Sequence, residues 1–262
     1  MTGFVRLYAA QAAAALRTSM ADRANFAWQA GGMFVNDVFM LVLWALFFAG
    51  FRSVGGWTLP DMALLYGLIM LIVGLANVFF GGYRDLAANL LKGELDALLT
   101  QPRGLISRLL ARESIASGWG DVVGGVIVLA AFARLGVRDL PLIAVGALCG
   151  LVVYLGASVV FATLAFWAAG ARSFARDLTD FTILFSSNPP SIYRGAAKFV
   201  TFTLLPAGFV VVTPVGLIRH PSPAAFAVTI GAAALYAGLA GGAFHLGLRR
   251  YRRGQSPALA TL

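Results

Sequence analysis

The chain has few charged residues and a single cysteine. Asp, Glu, Lys and Arg make up 12% of its 262 residues, whereas soluble domains contain about 25%. Apolar residues make up 60%, and the mean hydropathy is +0.82. This composition excludes a soluble globular enzyme and a disordered chain. Because Cys149 lies in an apolar run and has no second cysteine to pair with, a disulfide-stapled secreted fold is also excluded.

The common catalytic and metal-binding motifs are missing as well. The two lysines, Lys92 and Lys198, do not lie in glycine-rich loops, so the chain has no ATP-binding P-loop of its own. The two histidines, His220 and His245, have no second His, Cys or carboxylate at ligand spacing. We therefore expect no catalytic residue, no metal site and no cofactor bound by this chain.

What the sequence does contain is a series of long apolar runs. A helix needs about 20 apolar residues to cross a hydrocarbon core of about 30 Å. Five runs clearly meet this length, namely 26–51, 62–82, 114–133, 140–169 and 224–248. Another uncharged stretch, 199–218, contains Pro206 and Pro214. The sequence thus predicts an all-α polytopic membrane protein with six transmembrane helices.

Residues 199–218 allow two topologies. In the first, they form the fifth span. In the second, the chain crosses earlier, over about 174–189, and 199–218 dips into the membrane and returns as a re-entrant hairpin, which the two prolines suit. Hydropathy slightly favours the first topology, because 174–189 contains Arg176, Asp177 and Asp180.

The basic residues predict the orientation. With a cytoplasmic N-terminus, the first topology places 16 of the 20 Lys and Arg residues inside and 4 outside, and the second places 14 inside and 6 outside. Cytoplasmic loops carry such an excess, so both termini are predicted to be cytoplasmic. Because the net charge of +9 lies in loops and tails, we expect no nucleic-acid partner.

Residues 1–25 are predicted to form an interfacial elbow helix before the first span. Apolar residues recur there at helical spacing, at Phe4, Leu7, Tyr8, Ala12 and Ala15. A cleaved signal peptide is the alternative, but Gln11 interrupts its short apolar core. No repeat or low-complexity linker divides the chain, so residues 1–262 are interpreted as a single transmembrane domain.

Four polar residues within the spans are candidates for pathway or interhelical contacts. They are Asn36 and Asp37 in the first span, Asn77 in the second and Asp121 in the third. A carboxylate in lipid is costly, so such groups usually face a cavity or a partner helix. Alternatively, both carboxylates lie near the interfaces and bond neighbouring helices. A nearby aromatic stripe is more typical of a lipid-facing or packing surface than of a substrate cage: Phe39, Trp44, Phe47 and Phe48.

The loop 84–113, between the second and third spans, contains a short amphipathic pattern. Gly93 breaks the preceding helix, and a new helix is predicted to end before Pro102. Its leucines share one face and its carboxylates lie near its positive N-terminal end: Leu95, Leu98 and Leu99, and Glu94 and Asp96. Such a helix suits a groove on a soluble partner. The alternative is that its leucines rest on lipid headgroups.

The run from Lys92 to Pro102 is similar to the G-x-L-D-x-L-L-x-x-P pattern of a known family. The sequence resembles the six-span permease subunits of bacterial ABC transporters of the ABC-2 type. The segment 188–215, NPPSIYRGAAKFVTFTLLPAGFVVVTPV, looks like the proline-containing segment before the last span of that group. The resemblance implies that 93–102 is a coupling helix that docks on an ATPase, through Gly93, Glu94, Leu95, Asp96, Leu98, Leu99 and Pro102.

The resemblance also implies partners and a location. A second permease subunit, identical or a sister, would complete the pathway. Two copies of an ABC ATPase subunit would hold ATP and Mg, and the assembly would export its cargo across the bacterial cytoplasmic (inner) membrane, among membrane lipids. The family favours the re-entrant hairpin. An ATP-independent secondary carrier or a membrane scaffold is the alternative. The scarcity of charges in the spans favours a hydrophobic or amphipathic cargo.

Overall fold

The computed structural model describes residues 2–53, 55–91, 104–168, 170–193 and 195–253. The regular structure in these ranges is helical and includes no strand, which confirms the predicted all-α class. The α-helices are α1 Thr2–Ser19, α2 Arg23–Gly50, α3 Leu59–Phe80, α4 Leu86–Leu91, α5 Leu105–Leu110, α6 Ser117–Phe132, α7 Leu140–Thr163, α8 Ala171–Ser186, α9 Ala196–Thr203, α10 Thr213–Arg219 and α11 Pro223–Arg252.

Four helical stretches of the described chain are long and apolar enough to cross a membrane. They are Arg23–Gly50, Leu59–Leu90, Val137–Phe166 and Pro223–Arg252. Two shorter apolar helices, Ser117–Phe132 and Gly208–Arg219, accompany them. The protein is therefore embedded in a membrane. The five clear runs of the sequence correspond to α2, α3, α6, α7 and α11, although α6 and α7 are shorter than their runs.

Polar caps and prolines fix where the long helices begin. The Asp22 side chain accepts a hydrogen bond of 3.0 Å from the backbone N–H of Asn25, at the start of α2. The Asp61 side chain accepts one of 3.0 Å from the Thr58 N–H, before α3. Ser222 caps α11 in the same manner, and Pro223 follows it. These residues bond backbone groups that the first helical turn leaves without partners.

Glycines bring α3 and α6 into backbone contact. A Cβ atom at Gly74 of α3 would lie 2.8 Å from the backbone nitrogen of Val122. One at Gly118 of α6 would lie 2.9 Å from the carbonyl oxygen of Gly74, and one at Gly125 would lie 2.9 Å from that of Gly67. In each helix the two glycines are seven residues apart and share a face. We refer to Gly67, Gly74, Gly118 and Gly125 as the glycine seam.

Helix α7 packs at the centre of the remaining helices. Gly146 and Gly150 of α7, spaced i and i+4, lie against Pro214 and Ile72, so α7 approaches both α10 and α3 closely. Gly238 and Gly242 of α11 have the same spacing but open space where their Cβ atoms would lie. Of these two pairs, the first therefore mediates close helix packing within the described chain.

The N-terminal helix is held at one end of the bundle. The Tyr8 hydroxyl donates a hydrogen bond of 3.3 Å to the carbonyl oxygen of Phe79, and Gln11 donates one of 3.1 Å to that of Arg108. Burial raises the pKa of Tyr8 to about 12. Helix α1 thus joins the end of α3 to α5, and we call this end of the bundle the α1 end.

The structure has the re-entrant topology. At the opposite end, the Ser191 side chain lies against Gly55, which has a φ of +55° and leaves no room for a side chain. Arg219 reaches that end too, because its guanidinium bonds the carbonyl oxygen of Pro60 at 3.0 Å. The hydroxyl of Ser186, the last residue of α8, donates a hydrogen bond of 3.4 Å to the carbonyl oxygen of Ala207, which lies between α9 and α10. Helix α8 therefore crosses the bundle, and α9 to α10 dips in and returns.

The predicted coupling helix, 93–102, lies outside the described residues. Its neighbours α4 and α5 are described, and both lie at the α1 end. A Cβ at Gly81, just after α3, would lie 2.8 Å from the carbonyl oxygen of Glu113, so the chain after α5 passes directly under α3. The Ile115 N–H then donates to the carbonyl oxygen of Asn77 at 2.9 Å. The two ends of the loop are thus tied to α3.

Candidate functional site: a cavity beside α2

A cavity of about 870 Å³ lies between α2, α3 and α8. Helix α2 contributes eight side chains at helical spacing, so one face of this helix forms a whole wall. They are Met33, Asn36, Asp37, Met40, Leu43, Trp44, Phe47 and Phe48. Most of the lining is apolar, and its polar side chains are Asn36, Asp37, Tyr66, Asp121, Asp180, Ser187 and Asn188.

Aromatic side chains form the part of the α2 wall that is farthest from the α1 end. The Trp44 and Phe47 rings meet edge to face with centroids 6.0 Å apart, and Phe47 meets Phe48 in the same manner at 5.6 Å. Pro189 and Ile192, which follow α8, close the other side at this level. The outer part of the cavity is therefore a rigid apolar surface.

Two buried carboxylates lie at the deep end of the cavity. Asp37 is 2% exposed and Asp121 is 3% exposed, and both line the space. Gly124 makes room for Asp37, because a Cβ atom there would lie 3.2 Å from its Oδ2 atom. That oxygen has no hydrogen-bond partner in the part of the chain that the structure describes. Asp37 thus lies at the cavity floor with one buried oxygen packed beside Gly124.

A hydrogen-bonded network lies behind Asp121, outside the cavity. Asn77 donates to Asp121 Oδ2 at 3.5 Å, and the Tyr83 hydroxyl donates to Asn77 Oδ1 at 3.0 Å. The Tyr154 hydroxyl and Arg84 Nε both donate to the Tyr83 oxygen, at 2.9 and 3.3 Å. This network fixes Asp121 from behind, whereas the side chains that interact with Asp37, Asn36 and Tyr66, belong to the cavity lining itself.

The structure brings three of the four predicted polar residues to one place. Asn36, Asp37 and Asp121 line the cavity, and Asn77 is buried behind it and bonded to Asp121. Of the aromatic stripe, Trp44, Phe47 and Phe48 line the cavity, whereas Phe39 is not part of the lining and is 59% exposed. Both carboxylates are buried, and Asp121 bonds Asn77 of the neighbouring helix.

Sequence reasoning missed several residues of this region. Tyr66 and Asp180 line the cavity, and Tyr83, Arg84 and Tyr154 form the network. Asp180 carried a usable signal, since it is a carboxylate within 174–189, the stretch that was considered as a possible crossing helix. Tyr154 carried none, because a tyrosine in a charge-free run is equally common on lipid-facing surfaces.

The chemistry available at the cavity is binding. No group of three or more His, Cys, Asp or Glu side chains that could hold a metal ion occurs in the described ranges. The apolar wall and the carboxylate floor are suited instead to a molecule with an apolar body and a polar end.

The chain is a helical membrane domain with a partly open cavity between α2, α3 and α8. It belongs to the family described as ABC-2 family transporter protein, whose model matches residues 34–254. The match includes all of α11 and every residue of the cavity lining except Met33. The chain is thus a transmembrane transport component. No curated protein and no solved structure matches it significantly.

Proposed function

We propose that the chain is one half of the transmembrane pathway of an ATP-driven exporter and pairs with a second permease subunit, identical or a sister. The observation that supports this proposal is the unequal burial of the helices around the cavity. Of the most apolar part of α2, 6% is buried, against 78% for α3. Because α2 lines a cavity yet packs against few neighbours, a second subunit opposite α2 would complete the pathway.

Coupling to ATP is proposed to pass through the loop between α4 and α5. Gly93, Glu94, Leu95, Asp96, Leu98, Leu99 and Pro102 would form the ATPase interface, and two ATPase subunits would bind ATP and Mg. The described contacts on either side of this loop support the route. The Ile115 N–H bonds Asn77, and Asn77 bonds Asp121 at the cavity floor. A displaced loop would therefore move groups at the site.

The proposed location is the bacterial inner membrane, with both termini in the cytoplasm. Helix α1, the flanks of the loop and the basic end of α11 all lie at one end of the bundle. Arg172 of α8 pairs with Asp85 at 3.9 Å there, and Arg250 of α11 donates to the carbonyl oxygen of Phe166 at 3.2 Å. This clustering of cations supports a cytoplasmic α1 end.

A gentle pull-down of the tagged protein from its own membranes tests the proposal. We expect an ATPase with a P-loop to be recovered with the wild-type chain and lost when Leu95, Leu98 and Leu99 are replaced by Asp. Glu94→Arg should leave insertion intact but uncouple ATP hydrolysis from transport. Arg138→Glu, a charge reversal at an exposed residue of the opposite end, is the matched control and should retain the ATPase.

Two results would count against this function. Reproducible recovery of the wild-type chain without an ATPase would favour the ATP-independent carrier, and ion-coupled transport by Asp37 variants would be measured next. Normal transport by Glu94→Arg at wild-type expression would remove the proposed role of 93–102.

A further inference from the structure

We propose that the cavity binds the cationic end of an amphipathic molecule, with Asp37 as its main counter-charge. This inference rests on the proposed function, because it names the chemical class of cargo that the exporter would hold at this site.

The lining has charges of one sign. Among the described residues that form it, three are carboxylates, namely Asp37, Asp121 and Asp180, and none is Lys, Arg or His. Arg84 acts electrostatically on Asp121 and Asp180 from outside the cavity. The described ion pairs do not include Asp37. An anionic cargo would therefore meet repulsion at the floor, and a cationic one would supply the missing charge.

Asp37 has fewer hydrogen-bond partners than a paired carboxylate would have. The Asn36 and Tyr66 side chains interact with its carboxylate, but its buried Oδ2 atom has no partner of good hydrogen-bond geometry among the described residues. A carboxylate within a membrane protein is costly unless it is compensated, and such residues usually mark a substrate or ion site. A cation bound at the cavity floor would lower this cost electrostatically.

The walls fit the rest of such a molecule. Trp44, Phe47 and Phe48 form an aromatic wall above the carboxylates, and Tyr66 lies on the facing helix. Aromatic faces attract cations as well as apolar groups. The volume of about 870 Å³ lies within the range of about 300–1,000 Å³ for small-molecule sites. The charged end would point toward the α1 end and the apolar body away from it.

Equilibrium binding of two ions of equal shape and opposite charge tests this inference. The purified wild-type chain, in discs of neutral lipid, should bind tetraphenylphosphonium at least about tenfold more tightly than tetraphenylborate. Asp37→Asn should weaken tetraphenylphosphonium binding by about tenfold, and Asp37→Glu, which keeps the charge, by less than about threefold. Asp177→Asn, an exposed carboxylate on α8 outside the lining, is the matched control and should bind as the wild type does.

Asp180→Asn provides a second variant that does not depend on a buried position. Asp180 is exposed on α8 and lines the cavity, so its loss should weaken cation binding by about threefold without affecting the fold. Equal binding of both ions by the wild type would overturn the inference. Wild-type affinity in both Asp37→Asn and Asp180→Asn would overturn it as well.

The outcome is separable from that of the pull-down, because the binding assay contains no ATPase. Charge-selective binding without recovery of an ATPase would refute the exporter and retain the cation site. Recovery of an ATPase by a wild-type chain that does not discriminate between the two ions would retain the exporter and refute the cation site.

Discussion

Helices α2 and α3 are both long and apolar, yet they have different surroundings. Helix α3 contacts the backbone of α6 through the glycine seam and is largely buried. Helix α2 contacts α6 closely only at its first half, where Gly120 lies against Ala30 and Phe34, and its second half borders the cavity. Glycines therefore allow the close packing of α3 against α6, whereas aromatic side chains of α2 form a wall of the cavity.

The largest expected effect is that of filling the glycine seam. Gly74→Leu should destabilise the protein by about 3 kcal/mol or more, because a Cβ at Gly74 would already lie 2.8 Å from the Val122 backbone. Gly31→Leu on α2 is the control, since no atom lies within 4 Å of its Cβ position. Thermal unfolding in detergent measures both variants. Similar losses at the two positions would show that α2 packs as tightly as α3.

A smaller effect is expected at the buried network. Tyr154→Phe removes a hydrogen bond of 2.9 Å to Tyr83 and should destabilise the protein by about 1 kcal/mol. Arg84 still donates to the Tyr83 oxygen in this variant, which limits the loss. Tyr236→Phe, at another largely buried tyrosine, is the control and should lie within about 0.5 kcal/mol of the wild type. A loss at Tyr236 equal to that at Tyr154 would contradict the role of the network.

The contacts of Arg219 should contribute a similar or smaller amount. Its Nη2 atom donates to the carbonyl oxygens of Pro60 and Ala133, at 3.0 and 3.3 Å, and Nε lies 3.2 Å from Asp61 Oδ1 without good hydrogen-bond alignment. Arg219→Met should cost about 1 kcal/mol, because the group is partly solvated. Arg138→Met, at an exposed arginine, is the control. The same unfolding midpoint for Arg219→Met and Arg138→Met would rule out this contribution.

The smallest effect on stability is expected at the aromatic wall. Trp44→Leu should cost less than about 1 kcal/mol, because the ring is half-buried and faces the cavity. The affinity of this variant for tetraphenylphosphonium should nevertheless fall by about threefold. Thermal unfolding and binding on one preparation separate the two quantities. A stability loss as large as that of Gly74→Leu would show that the aromatic wall contributes as much to stability as the glycine seam.

Much of the fold could be predicted, because the length of an uncharged run depends on sequence alone. The topology of 199–218 could not. Arg176, Asp177 and Asp180 weakened the prediction of a crossing over 174–189. The hydropathy of a segment is a sum over all its residues and ignores the face of the helix on which each one lies. In the structure, these charges lie on the exposed face of α8, and Leu178, Thr179 and Thr182 lie on the buried face.

The candidate site was predictable only as a set of polar residues. Asn36, Asp37, Asn77 and Asp121 were identifiable because polar groups within apolar runs are rare. Their arrangement depends on the rotation of each helix about its own axis, and that rotation is set by the glycine seam and by Gly124. The proposed coupling residues, 93–102, lie outside the described residues and stay a prediction.

The position of Arg219 has a consequence for synthesis. The partners of its guanidinium, Pro60 and Ala133, precede it by 159 and 86 residues. While the ribosome is still producing α7 or α8, the ends of α3 and α6 have already been made but lack the cation that later joins them. The early helices are therefore inserted before the contacts of Arg219 with Pro60, Ala133 and Asp61 can form. A chain that stops before residue 219 would leave Asp61 without this ion pair.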